Sequence, residues 1–419
     1  MAGGLTTSQY DNPVMHIELA RFFAGAAQVL ISCDTAFTAK NAEGNALLSV
    51  KPGSQITASV SEDGHLTLSQ ALTTGDFEAS QAGADETPST GITDATISSE
   101  SGSGFFSIAL PGNPIKWHRY RGAISLAVSA GHLRITNDIP LEEYLVGVLK
   151  PEIGASAPLE ALKAQAIAAR TYAVRNIGHL ASESADLDDT TRTQSYLGVD
   201  GETSAIRAAV QATAGLVMTY QGQPIEALYS TDCGGMTAQG GPGEPYLQPV
   251  DDPDCAAKPA WTKTYSRAQL QATLQKSPQT AVDGLTSLSI ESTDASGRAA
   301  KVLITGEDGQ SKKVTGAQLR LLLGTEELRS TLFTVKQEED GSFIFTGHGW
   351  GHGLGMCQQG AIALAEGSSP QPCDKILKHY YMGIEIVPLT PELVSAVTGG
   401  GKTPAHEISS SAVLSGGKS

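Results

Sequence analysis

A carboxylate at Glu152 stands in the segment Leu149-Lys150-Pro151-Glu152, shortly before an uninterrupted helical run from Leu159 to Arg175. A carboxyl group at such a junction is well placed to give and take protons. A residue that precedes proline is pushed toward extended geometry, so Pro151 and Pro158 are expected to bracket a short loop that holds Glu152 outside regular secondary structure. Glu152 is the first candidate for catalysis.

A second unusual segment is Thr346-Gly-His-Gly-Trp-Gly-His-Gly-Leu-Gly-Met-Cys-Gln-Gln-Gly-Ala361, where glycines alternate with His348, Trp350, His352 and Leu354. Glycine permits positive φ and close backbone approach, which would bring N–H groups and two imidazoles near a ligand. His348 and His352 have the spacing of a helical zinc pair, but the glycines exclude a helix, so no metal is expected there. Two readings stay open: His352 satisfies nearby backbone groups, or the loop is a ligand-binding wall, which is preferred. A helix beginning at Gln358 would favour an anionic or carbonyl group at its N-terminus.

The third segment, Tyr229-Ser-Thr-Asp-Cys-Gly-Gly-Met-Thr237, is a polar cluster at a strand end. Ser230 with His352 and an aspartate would suggest a hydrolase triad, although the chain lacks the G-x-S-x-G elbow. Hydrogen bonding by Ser230 and Thr231 to a polar substrate is preferred. On the long helix Lys163, Ile167 and Arg170 share one face, beside a stripe of small residues that lets something pack close. Gln165 and Tyr172 are either substrate contacts or partners for buried backbone. Glu142 and Glu143 read as N-terminal helix acids on a solvated face.

The elements that must position these residues interleave without a βαβ rhythm, so an α+β fold is expected. Residues 1–15 read as a tail and 16–72 as a small β-rich unit. Residues 73–104 are too poor in large apolar side chains to repay ordering and read as a linker or insertion. Residues 105–388 form the main mixed sheet-and-helix domain, with strands at 105–109, 123–129 and 132–136, helices at 159–179 and 204–214, and a hairpin around Gln221-Gly222 joining 216–220 to 224–230. Further helices are expected at 267–275 and 316–323, and strands at 285–291, 300–305, 332–337 and 342–346. From 389 the Gly-, Ser- and Thr-rich end reads as a disordered tail.

The net charge of -16, with 28 Lys and Arg against 44 acids, argues against a nucleic-acid partner. No apolar run is long enough to span a bilayer, and the first residues show no export leader, which fits a cytosolic protein or one whose leader has been removed. Cys33, Cys233, Cys255, Cys357 and Cys373 form no C-x-x-C pattern. In an exported protein the nearest pairings are Cys233 with Cys255 and Cys357 with Cys373; in a cytosolic one all five are small buried groups.

Four segments, Asn137 to Glu152, Ala161 to Tyr172, Ser230 to Thr237 and Gly351-His-Gly-Leu-Gly-Met356, together closely resemble the stage II sporulation protein D family, also called SpoIID/LytB. The resemblance runs over roughly 105–388 and includes Gly297-Arg298 and Leu328 to Phe333. It implies a peptidoglycan lytic transglycosylase that cleaves between N-acetylmuramic acid and N-acetylglucosamine and leaves 1,6-anhydro ends. Glu152 is the matched acid. One carboxyl can serve as acid and then base because the nucleophile, the muramyl C6 hydroxyl, belongs to the substrate. Its pKa must then be raised, with Leu149, Pro151 and Ile153 supplying the desolvation, and Lys150 must point away or toward substrate.

Lys163, Gln165, Arg170, Tyr172, Ser230, Thr231, His352 and Gln358 are expected to shape or bind the sugar cleft. Some members of the family carry a His/Cys zinc cluster after the long helix, but residues 186–196 here contain neither type, so no metal and no cofactor are expected. The expected place of action is the cell envelope, and no sporulation role is inferred. Two rival readings remain: a non-catalytic glycan-binding protein that enhances a cell-wall amidase, and a serine hydrolase using Ser230 and His352.

Overall fold

The computed structural model describes residues 10–70, 89–178, 180, 185–256, 258–307 and 309–399. Mixed sheets and helices give the expected α+β fold. The chain divides into two compact units, one built on Met1–Ser156, Ala173–Leu216 and Pro388–Thr398, the other on Ala157–Tyr172 and Val217–Val387.

The first unit is organised by two sheets. A six-stranded sheet runs His118–Tyr120, Phe106–Ala109, Gln28–Cys33, Gln55–Val60, Leu66–Gln70 and Ser89–Ile92 in spatial order. A seven-stranded sheet runs Leu187–Asp188, Val14–Glu18, His132–Pro140, Ala123–Ser129, Asp94–Ser99, Phe37–Lys40 and Ala46–Val50. Alternating apolar residues supply one buried face of each, for example Val29 and Ile31, Ile56 and Ala58, Met15 and Ile17. The Phe37 and Phe106 rings meet edge to face at 5.7 Å between the two sheets.

Strands of residues 16–72 do not close on themselves. Gln28–Cys33 pairs with Phe106–Ala109, and Val14–Glu18 with His132–Pro140, so both sheets cross the boundary drawn at 104–105. Part of the expected linker is a strand: Asp94–Ser99 lies between Phe37–Lys40 and Ala123–Ser129. Only Ala95 and Ile97 are buried there, and a strand paired on both edges needs no more apolar material than its neighbours leave room for. Residues 71–88 lie outside the described part. The expected C-terminal tail is ordered at its start, where Leu389 is fully buried and Pro391–Gly399 forms a helix; 400–419 lie outside the described residues.

In the second unit, Trp261–Tyr265, Phe343–Gly347 and Phe333–Gln337 form one three-stranded sheet, and Leu285–Thr293, Ala299–Gly306 and Ser311–Val314 another. Helices Arg267–Leu274 and Gly316–Leu323 start on capping boxes, Ser266 with Gln269 and Thr315 with Gln318. Trp261, Leu270, Val302, Ile304, Leu319, Phe333, Phe343 and Phe345 belong to one buried cluster. Gln221 and Gly222 both take positive φ, 50° and 76°, and close the expected hairpin, although its second arm is only Gln223–Pro224. The strand Tyr229–Ser230 instead lies parallel to Met356–Cys357.

Candidate active site

Glu152 is not in a loop. The helix Leu141–Ile153 runs through Pro151 and ends on Gly154, whose φ of 86° and N–H bond to the Lys150 carbonyl terminate it. Proline has no N–H to give the carbonyl four residues back, so the Gly147 oxygen is released from the helix ladder. It accepts the Leu197 N–H at 3.2 Å instead. Two residues earlier on the same segment, the Ser195 N–H donates to Glu152 Oε1 at 2.7 Å. A proline thus lets an extended segment dock along the last turn of the helix and pin the half-buried carboxyl group.

The docking needs glycines on both sides. A Cβ at Gly147 would overlap the Tyr196 ring and come 2.9 Å from the Gly198 carbonyl, and one at Gly201 would overlap the Gly147 carbonyl. Behind the segment the buried Tyr144 and Tyr196 rings pack at 5.0 Å. Tyr144 donates to Gln194 Oε1 at 3.2 Å, and Tyr196 to Asn137 Oδ1 at 2.8 Å. Asn137 is itself fixed by donating to the Arg121 and Ala123 carbonyls. Lys150 donates to the Asp200 carbonyl at 2.9 Å, so its ammonium takes part in the same docking. Glu143, expected on a solvated face, pairs with Arg207 at 2.9 Å, and Arg207 with Glu202.

The stretch 186–196 is shaped by acids. Asp186 accepts from the His16 and Gly178 N–H groups, and Asp188 from Thr190 and Arg192. Asp189 accepts from the Arg21 N–H at 2.7 Å, and burial pushes its carboxyl up to about 7. Gln194, Ser195 and Tyr196 were not among the residues expected at the site. Their signal was a lone Gln-Ser-Tyr among acids, with nothing local to link it to Glu152.

In the second unit the glycine-rich strip threads beside the Leu228–Gly234 backbone. Gly349, Gly351, Gly353 and Gly355 all take positive φ. Gly355 shows the close approach most clearly, since a Cβ there would overlap the Leu228 carbonyl. Trp350 exchanges backbone bonds with Asp232 and leaves its side chain 36% exposed, with the Arg329 guanidinium 4.7 Å from the ring centre.

Several expected sugar contacts are internal. His352 Nδ1 accepts the Leu354 N–H at 3.0 Å, and its ring bonds to the Tyr229 backbone as well. Burial, with the Arg320 and Arg298 charges, holds this imidazole down to about 4. The structural reading of His352 therefore fits better than a ligand contact. Gln165 and Gln358 are buried, and the Gln358 amide donates to Gln165 Oε1 at 3.3 Å, while the Gln165 amide nitrogen is buried without a partner. Arg170 is wholly buried and donates to the Ala166 carbonyl. Ser230 is buried with its hydroxyl unpaired, so no Ser230 to His352 bond exists to activate a nucleophile. Thr231 is exposed, Tyr172 half-buried, and Lys163 pairs with Glu160 at 2.7 Å.

The cysteines do not follow the sequence-nearest pairings. Among the described residues no disulfide forms, and Cys357 lies with Cys255, their sulfurs 3.3 Å apart, rather than with Cys373. Cys233 joins them, and one ligand atom from each of Asp232, Cys233, Cys255 and Cys357 lies within 4.8 Å of all the others. Hydrogen bonds from Cys233 and Cys255, against burial but with the Gly360 and Cys233 N–H groups, hold the Cys357 thiol far below the usual range.

Residues 129–220 match the family described as stage II sporulation protein, and residues 242–355 match a domain of unknown function (DUF8618). An uncharacterized protein of Brachyspira hyodysenteriae is 35% identical over 275 residues, 64% of this chain and 72% of its own. Stage II sporulation protein D of Bacillus subtilis is 34% identical over 285 residues, 63% of this chain and 79% of its own. An amidase enhancer of the same organism is 31% identical over 292 residues, 57% of this chain and 39% of its own.

Proposed function

This chain belongs to the stage II sporulation protein D family, and we propose that it is a cell-envelope lytic transglycosylase in which Glu152 is acid and then base. The observation that carries the reading is the Ser195 N–H on Glu152 Oε1. That bond fixes one oxygen of the carboxyl group and so orients Glu152 for proton transfer, while burial must outweigh the bond's preference for the charged form. Glu152 gives its proton to the N-acetylglucosamine oxygen as the glycosidic bond to muramyl C1 breaks. The muramyl C6 oxygen then bonds to C1 and its proton returns to Glu152, so no water and no second carboxylate are consumed.

Lys163, Tyr172 and Thr231 remain proposed glycan contacts, and Trp350, partly exposed with the Arg329 guanidinium over one face of its ring, joins them as an aromatic surface against which a sugar ring can rest. Gln165, Arg170, His352 and Gln358 are reassigned to internal contacts of the second unit, and Ser230, buried with an unpaired hydroxyl, is withdrawn as a glycan contact. The peptidoglycan strand is the proposed substrate. Among the described residues no helix is long and apolar enough to cross a membrane.

Similarity to an amidase enhancer favours a second reading, stimulation of a partner amidase without cleavage. Glu152→Gln separates them, because glutamine keeps an oxygen for the Ser195 N–H and so preserves the docking. Incubation with peptidoglycan stripped of stem peptides should give anhydro-muramyl products by mass spectrometry, and the variant should lose about 10²–10⁴-fold in rate with an unchanged melting temperature. Wild-type protein that makes no such product yet stimulates an amidase would establish the second reading. Undiminished cleavage by the variant would remove Glu152 from its role.

A further inference from the structure

The cysteine cluster has the chemistry and geometry of a metal centre. Its members come from three separate places: the Asp232-Cys233-Gly234-Gly235 turn, the short helix Pro253–Ala256, and the N-cap of the helix Gln358–Glu366. Three sulfurs and one carboxylate oxygen lie within 4.8 Å of one another, with Cys255 and Cys357 Sγ 3.3 Å apart, a spread that brackets the sulfur–sulfur edge of about 3.8 Å in a tetrahedron with metal–sulfur bonds of about 2.3 Å. We propose that Cys233, Cys255, Cys357 and Asp232 bind one zinc ion.

The surroundings fit that ion. Backbone N–H groups of Cys233 and Gly360 point at Cys357 Sγ, at 3.3 and 3.4 Å, as amides do around metal-bound thiolates. Three thiolates and a carboxylate around Zn²⁺ leave two negative charges. Lys258 Nζ, 3.1 Å from Asp232, and buried Arg298, which donates to the Cys233 carbonyl at 2.6 Å, offset these charges, and the buried Asp252 carboxyl lies alongside, 3.4 Å from Cys233 Sγ and accepting from the Tyr380 hydroxyl at 2.9 Å. Soft thiolates in a four-coordinate set select zinc over hard cations, and four protein ligands leave no open position for substrate. The ion is structural. It ties the turn that follows Ser230, the 253–256 helix and the end of the glycine strip to one point. A disulfide between any two of the three would leave the third thiol buried and odd.

Metal binding displaces thiol protons and needs no oxidant. Protein purified without chelator or histidine tag is expected to carry about one zinc per chain by elemental mass spectrometry. Cys255→Ser and Cys357→Ser should carry almost none, and Cys373→Ser should keep it. If those two variants fail to fold, the wild-type chain still decides. Exchanged into Co²⁺, it should show the intense sulfur-to-cobalt charge-transfer band and the strong visible bands of a tetrahedral thiolate site. A reduced wild-type protein that carries no zinc and gives no such cobalt spectrum overturns the proposal. So does a disulfide among Cys233, Cys255 and Cys357 in the unreduced protein.

Discussion

His352 shows how a conspicuous residue can be turned inward. Its ring lies between the Leu354 N–H and the Tyr229 backbone, and burial with the Arg320 and Arg298 charges lowers its pKa to about 4 from 6.5. In the unfolded chain the ring takes a proton as pH falls through 6.5, whereas in the folded protein it stays neutral until about 4. The unfolded state binds more protons in that window, so this group's contribution is complete above 6.5 and is lost as pH falls toward 4. His352→Gln keeps a donor and an acceptor without the titration. The variant should be the less stable protein at about pH 7.5, and the gap in denaturant midpoint should narrow by about pH 5. A gap that widens on acidification would show the ring to be charged in the fold. The same inward turn explains Gln165 and Gln358: each looks like a sugar ligand by type, and only a contact 193 residues apart in sequence reveals that they bond to each other.

The element that matters most is the helix Leu141–Ile153 with the segment that docks on it. Gly147→Ala tests their fit, since alanine is the better helix former but its Cβ would meet the Tyr196 ring and the Gly198 carbonyl. Overpacking of this kind costs about 1–3 kcal/mol. The variant should lose stability by that amount in urea and cleave glycan more slowly than its folded fraction explains, because displacing the segment withdraws the Ser195 N–H from Glu152. Equal stability and activity would mean that the docking is not tight. Elements written in local pattern were legible: the Ala- and Leu-rich helix Leu159–Arg175, the capping-box helices after Ser266 and Thr315, and the Gln221-Gly222 turn. Pro151 misled because proline normally marks an end. Here it sits in the last turn, where the orphaned Gly147 carbonyl has the Leu197 N–H to receive.

At the scale of the whole molecule, what sequence concealed was non-local. Cys233, Cys255 and Cys357 span more than a hundred residues without a short-range motif, and Asp94–Ser99 is a strand only because neighbours from both sides of the chain pair with it. Net charge was legible from the outset and sets a last expectation. A net charge of -16 is repelled by polymers that carry free carboxylates, so under the proposed function binding to peptidoglycan would have to come from short-range contacts such as the one proposed at Trp350. Raising ionic strength from about 0.05 M to about 0.5 M shortens the screening length several-fold and weakens that repulsion. Retention on purified sacculi should therefore hold or rise with salt, and Trp350→Ala should weaken it at both ends of the range. Binding that falls steeply with salt would instead point to a concentrated basic face as the glycan contact, and Trp350 would lose its assignment.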